Sequence, residues 1–152
     1  MIMLTSEKLL KIGEVSIQSD LPIKTIRYYE ELGLLTPTVS RSTSNYRLFK
    51  SAVLSRLIFI KRSQSLGLSL REIQNLLQVH DQGRLPCEDV KQNLQKKVKQ
   101  VTEHIEALHR LRSELQSLLA DWQDDPPAAI AAKTICPNLA PETSTDFLQT
   151  TR

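Results

Sequence analysis

Asp20-Leu21-Pro22-Ile23-Lys24-Thr25-Ile26-Arg27-Tyr28-Tyr29-Glu30-Glu31-Leu32-Gly33-Leu34-Leu35 is the stretch from which the rest of the chain can be read. Pro22 falls near the first turn of a helix over Ile23 to Leu32, where a residue without an N–H costs nothing. Gly33 suits the position just past the helix end, where the backbone turns left-handed. Upstream, Lys11 to Ile17 reads as a short amphipathic helix, which Asp20-Leu21-Pro22 breaks. Two short helices around a tight break form the helix-turn-helix pattern, whose second helix enters the major groove of DNA.

Downstream, residues Thr36 to Phe49 read as non-helical. Ser40-Arg41-Ser42-Thr43-Ser44-Asn45 is a polar hairpin tip between short strands at Thr38-Val39 and Tyr46-Arg47-Leu48-Phe49. Asn45 tolerates a left-handed turn position. A hairpin placed after a helix-turn-helix is a wing. Ser51 to Leu66 reads as a helix with Leu54, Leu57, Ile58 and Phe59 inward, stopped by Gly67. Ser69-Leu70-Arg71-Glu72 is a capping box opening a further helix, with Ile73, Leu76 and Leu77 inward.

From Glu88 to Asp121 the periodicity changes. Val90, Leu94, Val98, Val101, Ile105 and Leu108 advance by 4, 4, 3, 4 and 3, and Leu111, Leu115 and Leu118 follow at 3, 4 and 3. This is a heptad seam with one irregular step between Leu108 and Leu111. A long helix with one narrow apolar stripe cannot bury it alone. It either folds back on its own domain or meets a partner helix, and its length beside a small domain favours a second chain. Asp124-Asp125-Pro126-Pro127 ends the helix. Ala128 to Thr134 is an Ala-rich connection, Ile135-Cys136-Pro137-Asn138-Leu139 a small apolar patch, and the polar residues from Ala140 onward read as a flexible tail.

The 152 residues are 24% charged and 40% hydrophobic, a balance that excludes a disordered tail and a membrane protein. No apolar run approaches the roughly 20 residues of a membrane helix. The N-terminus lacks the apolar core of a signal peptide, so a cytoplasmic location is expected. Residues 1–80 carry 11 Lys and Arg against 6 Asp and Glu, whereas residues 81–152 carry 9 against 11. A basic front half points to a polyanion. Two cysteines, Cys87 and Cys136, are too few for a disulfide framework. No Gly-rich phosphate loop, HExxH or nucleophile elbow argues for an enzyme.

Thr25-Ile26-Arg27-Tyr28-Tyr29-Glu30 followed by Gly33-Leu34-Leu35 resembles the recognition helix of the MerR family of transcription regulators. Lys11-Ile12-Gly13-Glu14, Asn45-Tyr46-Arg47-Leu48-Phe49 and Leu66-Gly67-Leu68-Ser69-Leu70-Arg71-Glu72-Ile73 resemble it too. The motifs span residues 10–80, and the architecture extends the likeness to residue 139. Asp20 stands where the family has a turn glycine, Pro22 where it has a small capping residue and Asn45 where the wing has a glycine; each is compatible with a turn. The resemblance implies a mainly α fold, with a winged helix-turn-helix over residues 1–80 and an antiparallel coiled-coil dimerisation helix over 81–121. An effector loop over 122–139 and a tail over 140–152 complete the division. It also implies a homodimer that binds an inverted repeat in double-stranded promoter DNA and distorts it when effector is present, acting on RNA polymerase indirectly.

Arg27 can grip a phosphate or the O6/N7 edge of guanine, or pair within the helix with Glu30 or Glu31. Tyr28 can donate to a phosphate, while Tyr29 reads as core. Tyr46 and Arg47 resemble the family's backbone contacts in the wing. Lys24, Thr25, Arg41 and Lys61, or Arg62 beside it, complete the candidate DNA set, with a solvated surface charge as the alternative for the basic members. Leu94, Val98, Val101, Ile105 and Leu108 are the candidate dimer interface.

Cys87 opens the long helix and Cys136 follows its end. In an antiparallel helix pair, Cys87 of one chain could meet Cys136 of the other. This matches the metal-responsive branch of the family, and a cysteine at Cys87 resembles its sensors of Hg²⁺, Zn²⁺, Cd²⁺ or Pb²⁺. The branch's further loop cysteine is missing from Leu119-Ala120-Asp121-Trp122-Gln123. Two thiolates satisfy a linear ion, whereas tetrahedral Zn²⁺ would need Asp121, Asp124, Asp125, His80 or water as well. Buried packing thiols and sensing of an oxidant or electrophile are the alternatives.

Overall fold

The computed structural model describes residues 7–140, so the expected tail, apart from Ala140, lies outside the described residues. The first compact unit runs through Lys99. It opens with strand β1 (Leu10–Lys11), helix α1 (Ile12–Ser19) and helix α2 (Ile23–Glu31). Between the helices Asp20 takes φ +54°, the left-handed conformation in which Asp is one of the few tolerated non-glycine residues. The Ser16 carbonyl accepts from Leu21 N–H at 3.3 Å, and the Ser16 hydroxyl donates to the Leu21 carbonyl at 2.6 Å. Side-chain chemistry thus supplies the tight turn that glycine would otherwise provide. Pro22 precedes α2, and Gly33 follows it at φ +78°.

A 3₁₀ turn (Thr36–Thr38) leads into β2 (Val39–Arg41) and β3 (Arg47–Phe49). These pair antiparallel with Val39 opposite Phe49 and Arg41 opposite Arg47. The sheet has the order β1-β3-β2 with Leu10 also opposite Phe49. Strand β1 has no counterpart in the sequence reading. Two residues show no alternation, and only β3 makes them a strand. At the tip Asn45 sits at φ +64°, as expected for the wing.

Helix α3 (Ala52–Ser65) packs against α1 and against the next helix, α4 (Leu70–Asp81). The Ser69 capping box is present: Glu72 N–H donates to Ser69 Oγ at 3.2 Å, and Ser69 N–H donates to Glu72 Oε2 at 2.7 Å. The core gathers Val15, Ile26, Leu34, Leu35, Phe49, Val53, Leu57, Ile60, Ile73 and Leu76, all sealed from solvent. Ile58, expected in this core, is 66% exposed. The inward face of α3 advances through Val53, Leu57 and Ile60, which places position 58 on the opposite side, with Leu54 and Phe59 on the flanks.

Among the described residues, the core also takes in the Arg56 cation. Arg56 Nε donates to the Leu34 carbonyl, and its two terminal nitrogens donate to Asp81 Oδ1 and Oδ2 at 2.6 and 2.9 Å. One guanidinium therefore ties the residue pair following α2 to the last turn of α4. Helix α5 (Cys87–Ala120) begins in this unit, and its Val90 and Leu94 pack against the core. Lys97 reaches Glu72 Oε2 at 3.9 Å, its stem lying 3.7 Å from where a Cβ on Gly67 would stand.

The second unit comprises the described residues from Gln100. It contains the rest of α5, the short helix α6 (Ala128–Ala131) and a 3₁₀ turn (Pro137–Leu139). No helix among the described residues is long and apolar enough to cross a membrane.

Candidate nucleic-acid interface and effector thiols

Helix α2 is amphipathic in the strict sense that DNA reading needs. Ile26 and Tyr29 are buried, which pins the helix, while Lys24, Arg27 and Tyr28 stand exposed and Thr25 is half-buried. Tyr29 donates to Gln64 Oε1 at 2.5 Å, and burial, with Tyr28 adjacent, pushes its phenol above the ordinary value of 10.0. Tyr29 is thus core, as read from the sequence. Arg27 forms no ion pair with Glu30 or Glu31 among the described residues. Glu30 instead pairs with Arg47, whose Nε lies 3.3 Å from Glu30 Oε2. Sequence spacing misses this pair, because Arg47 reaches α2 from β3 across the fold.

In the wing, Tyr46 is 73% exposed and Arg41 Nη1 donates to the Asn45 carbonyl and Oδ1 at 3.4 and 3.3 Å. Arg41 therefore braces the hairpin tip, with the rest of its fork open to solvent. Lys61 and Arg62 are exposed on α3. These groups present planar guanidinium forks, ammonium heads and phenols, the donor set that phosphate oxygens accept from.

Leu94, assigned from the heptad to an interface between chains, is half-buried against its own unit. Further along α5, Val98 is 67% exposed, and Val101, Ile105 and Leu108 stand about half exposed in one line that continues through Leu111 and Leu115.

Cys87 is the first residue of α5 and is exposed; Cys136 precedes the 3₁₀ turn and is half-buried; both are free thiols. Cys87 lies on the rim of a cavity of about 780 Å³ lined by Phe59, Leu76, His80, Asp81 and Val90. His80 Nδ1 is 3.6 Å from Asp81 Oδ1. Among the described residues, no three His, Cys, Asp or Glu side chains cluster as a metal site of one chain would need. The soft donors among the described residues are two thiols, Cys87 exposed and Cys136 half-buried.

Sequence reasoning passed over Arg56 and Asp81. The available signal was an Arg placed between Val53 and Leu57 on the inward face of the helix, a position that calls for an acidic partner.

A winged helix-turn-helix that hands on to a long helix defines a class of DNA-binding regulator. Comparison with known proteins carries this further: the model of the MerR HTH family regulatory protein matches residues 10–79, and the MerR, DNA binding model matches residues 54–118. The chain is 38% identical over 108 residues to the mercuric resistance operon regulatory protein of Bacillus cereus, covering 71% of this chain and 81% of that one. It is similar in structure to the transcription regulator PbrR691 of Ralstonia metallidurans CH34 in complex with lead(II). There the TM-score is 0.67 and the identity 33%, over 77% of this chain and 91% of that one. The MerR of Bacillus megaterium MB1 in complex with mercury(II) gives a TM-score of 0.57 and 30% identity over 85% and 95%. The chain belongs to the MerR family of transcriptional regulators. Its relatives include metal-responsive regulators, and they are not enzymes.

Proposed function

We propose that this chain acts in the cytoplasm as a homodimer that binds promoter double-stranded DNA and switches transcription when a soft metal ion binds Cys87 of one chain and Cys136 of the other. The observation that carries the reading is a pair of free thiols, one opening α5 and one in the loop that follows it, in a chain 38% identical to a mercuric resistance regulator. The lead(II) and mercury(II) complexes of similar chains support the same class of effector. Hg²⁺, Cd²⁺, Pb²⁺ and Zn²⁺ are the candidates. A set of two thiolates favours Hg²⁺, which accepts two soft ligands, over Zn²⁺, which wants four.

On the DNA side, Lys24, Thr25, Arg27 and Tyr28 of α2 face the major groove. Arg41, Tyr46 and Arg47 in the wing and Lys61 on α3 meet phosphates. Their exposure and donor chemistry support these roles. The exposed line through Val101, Ile105 and Leu108 supports pairing of α5 with its copy, antiparallel as the family resemblance implies, and RNA polymerase responds to the distorted promoter rather than to the protein.

Mixing subunits tests the reading. A heterodimer of Cys87→Ser with Cys136→Ser has one position with both thiols lost and one with both intact. It binds one Hg²⁺ against a competing thiol, while each homodimer binds none tightly. Undiminished Hg²⁺ affinity in the Cys87→Ser homodimer would reject the metal assignment. Oxidant-dependent switching of the unaltered chain, without metal, would favour a thiol redox sensor instead.

A further inference from the structure

Past the end of α5 the chain makes a wide excursion and returns to itself through one side chain. Asn138 lies in the 3₁₀ turn Pro137–Leu139 and is half-buried. Its Oδ1 accepts from Gln123 N–H at 2.9 Å, and its Nδ2 donates to the Gln123 carbonyl at 2.9 Å. Both backbone groups of Gln123 are satisfied at once, as a neighbouring strand would satisfy them. The bond spans 15 residues and closes the neck of a loop that carries α6 and, two residues before Asn138, Cys136. Only a carboxamide matches a backbone N–H and C=O together, because Asp lacks the donor and Leu lacks both groups.

We infer that Asn138 is a positioning residue for the Cys136 thiol, closing its loop with protein groups before any effector arrives. Without the clamp, Cys136 rides on a segment whose ends must be brought together when its thiol is engaged, and that ordering weakens binding. With the clamp, the ordering is complete in the effector-free protein. Two hydrogen bonds of ordinary net strength shift such an opening equilibrium by about tenfold or more. The role of the clamp in effector affinity rests on the reading of Cys136 as a metal ligand, whereas loop closure and thiol placement do not.

The test uses the full-length chain, metal-free, with Asn138→Leu and Asn138→Asp. Amide hydrogen exchange at Gln123 should accelerate about tenfold in Asn138→Leu and by less in Asn138→Asp, which keeps the acceptor for Gln123 N–H and loses the donor to its carbonyl. Peptide-resolved alkylation by iodoacetamide should speed up several-fold at Cys136 in Asn138→Leu and not change at Cys87. Hg²⁺ affinity against a competing thiol should then fall about tenfold in Asn138→Leu, a change that a loss of fold stability alone would not produce at temperatures well below unfolding. Unaltered exchange at Gln123, or unaltered alkylation at Cys136, in Asn138→Leu overturns the positioning role. So does full Hg²⁺ affinity alongside faster exchange. If the parent chain binds no Hg²⁺ through Cys136, the metal reading fails, and exchange and alkylation still decide the clamp.

Discussion

Arg47 and Glu30 join β3 to α2, and under the proposed reading the same arginine also meets DNA. The pair at 3.3 Å is partly exposed, so its net worth to stability is small, about 0–1 kcal/mol. Its larger consequence is electrostatic. Glu30 sits on α2, and Arg47 offsets its charge at a place where, under the proposed reading, phosphates dock. Arg47→Ala should therefore weaken DNA binding almost uniformly across sequences and lower the slope of log K against log salt by about 1. Glu30→Gln should strengthen binding to unrelated DNA at the same salt. Fluorescence anisotropy over a salt series reads both, and an Arg47→Ala slope equal to that of the parent removes Arg47 from the phosphate contacts. Arg56 is the contrasting case, a cation used wholly inside. Its hydrogen bonds hold the Asp81 carboxyl below the ordinary value of 3.8, against the opposing effect of burial. The contribution of Asp81 to stability is thus complete above the ordinary value and lost as pH falls through the depressed one. Arg56→Ala, which also strips the Leu34 carbonyl of its donor, should cost about 3 kcal/mol at pH 7. The stability gap between parent and Asp81→Asn in urea unfolding should narrow steadily below pH 4. A gap that stays constant to pH 2 would contradict the assignment.

Helix α5 is a single element with two kinds of neighbour. Its first turns bury Val90 and Leu94 on the unit that carries the helix-turn-helix, and its later turns leave Val101, Ile105 and Leu108 about half exposed. If that line is the dimer seam, Ile105→Asp introduces unpaired charges into an apolar interface and should abolish the dimer at micromolar concentration. Sedimentation velocity measures this, and a dimer of parental affinity would place the interface elsewhere. Leu94→Ala should lower the stability of its own unit by about 2 kcal/mol, because Leu94 packs against that unit's core. The wing offers a smaller test. Asn45 at φ +64° tolerates Gly, whereas Asn45→Val should cost about 1–2 kcal/mol and weaken DNA binding through a misplaced hairpin tip.

For the whole molecule, assembly and sensing separate cleanly under the proposed reading. Unfolding linked to dimer dissociation makes Tm rise with protein concentration, and a Tm independent of concentration over a hundredfold range would argue for a monomer. Cys87→Ser should keep the dimer and its promoter affinity, because neither depends on a thiol, and lose the response to Hg²⁺, because Ser is a poor soft-metal ligand. Transcription from the promoter with and without Hg²⁺ checks this directly.

Local chemistry was sufficient for much of this protein. Pro22 and Gly33 bound α2, Ser69 and Glu72 open α4, Asn45 turns the wing, and the apolar period of α5 announces a long helix. Each is legible because the signal lies within a few residues of its consequence. The two cysteines as candidate thiol ligands and the basic face of α2 were legible in the same way, whereas the exposure of Cys87 and the half-burial of Cys136 were not. Strand β1, the Arg47–Glu30 pair, the Arg56 tie from Leu34 to Asp81, the burial of Leu94 and the Asn138 clamp on Gln123 were not. Each of these joins residues from different elements or from the two ends of a loop. A hydrogen bond, an ion pair or an apolar contact has no sequence period of its own, so its partner exists only once the chain has folded and brought the two groups within a few ångströms.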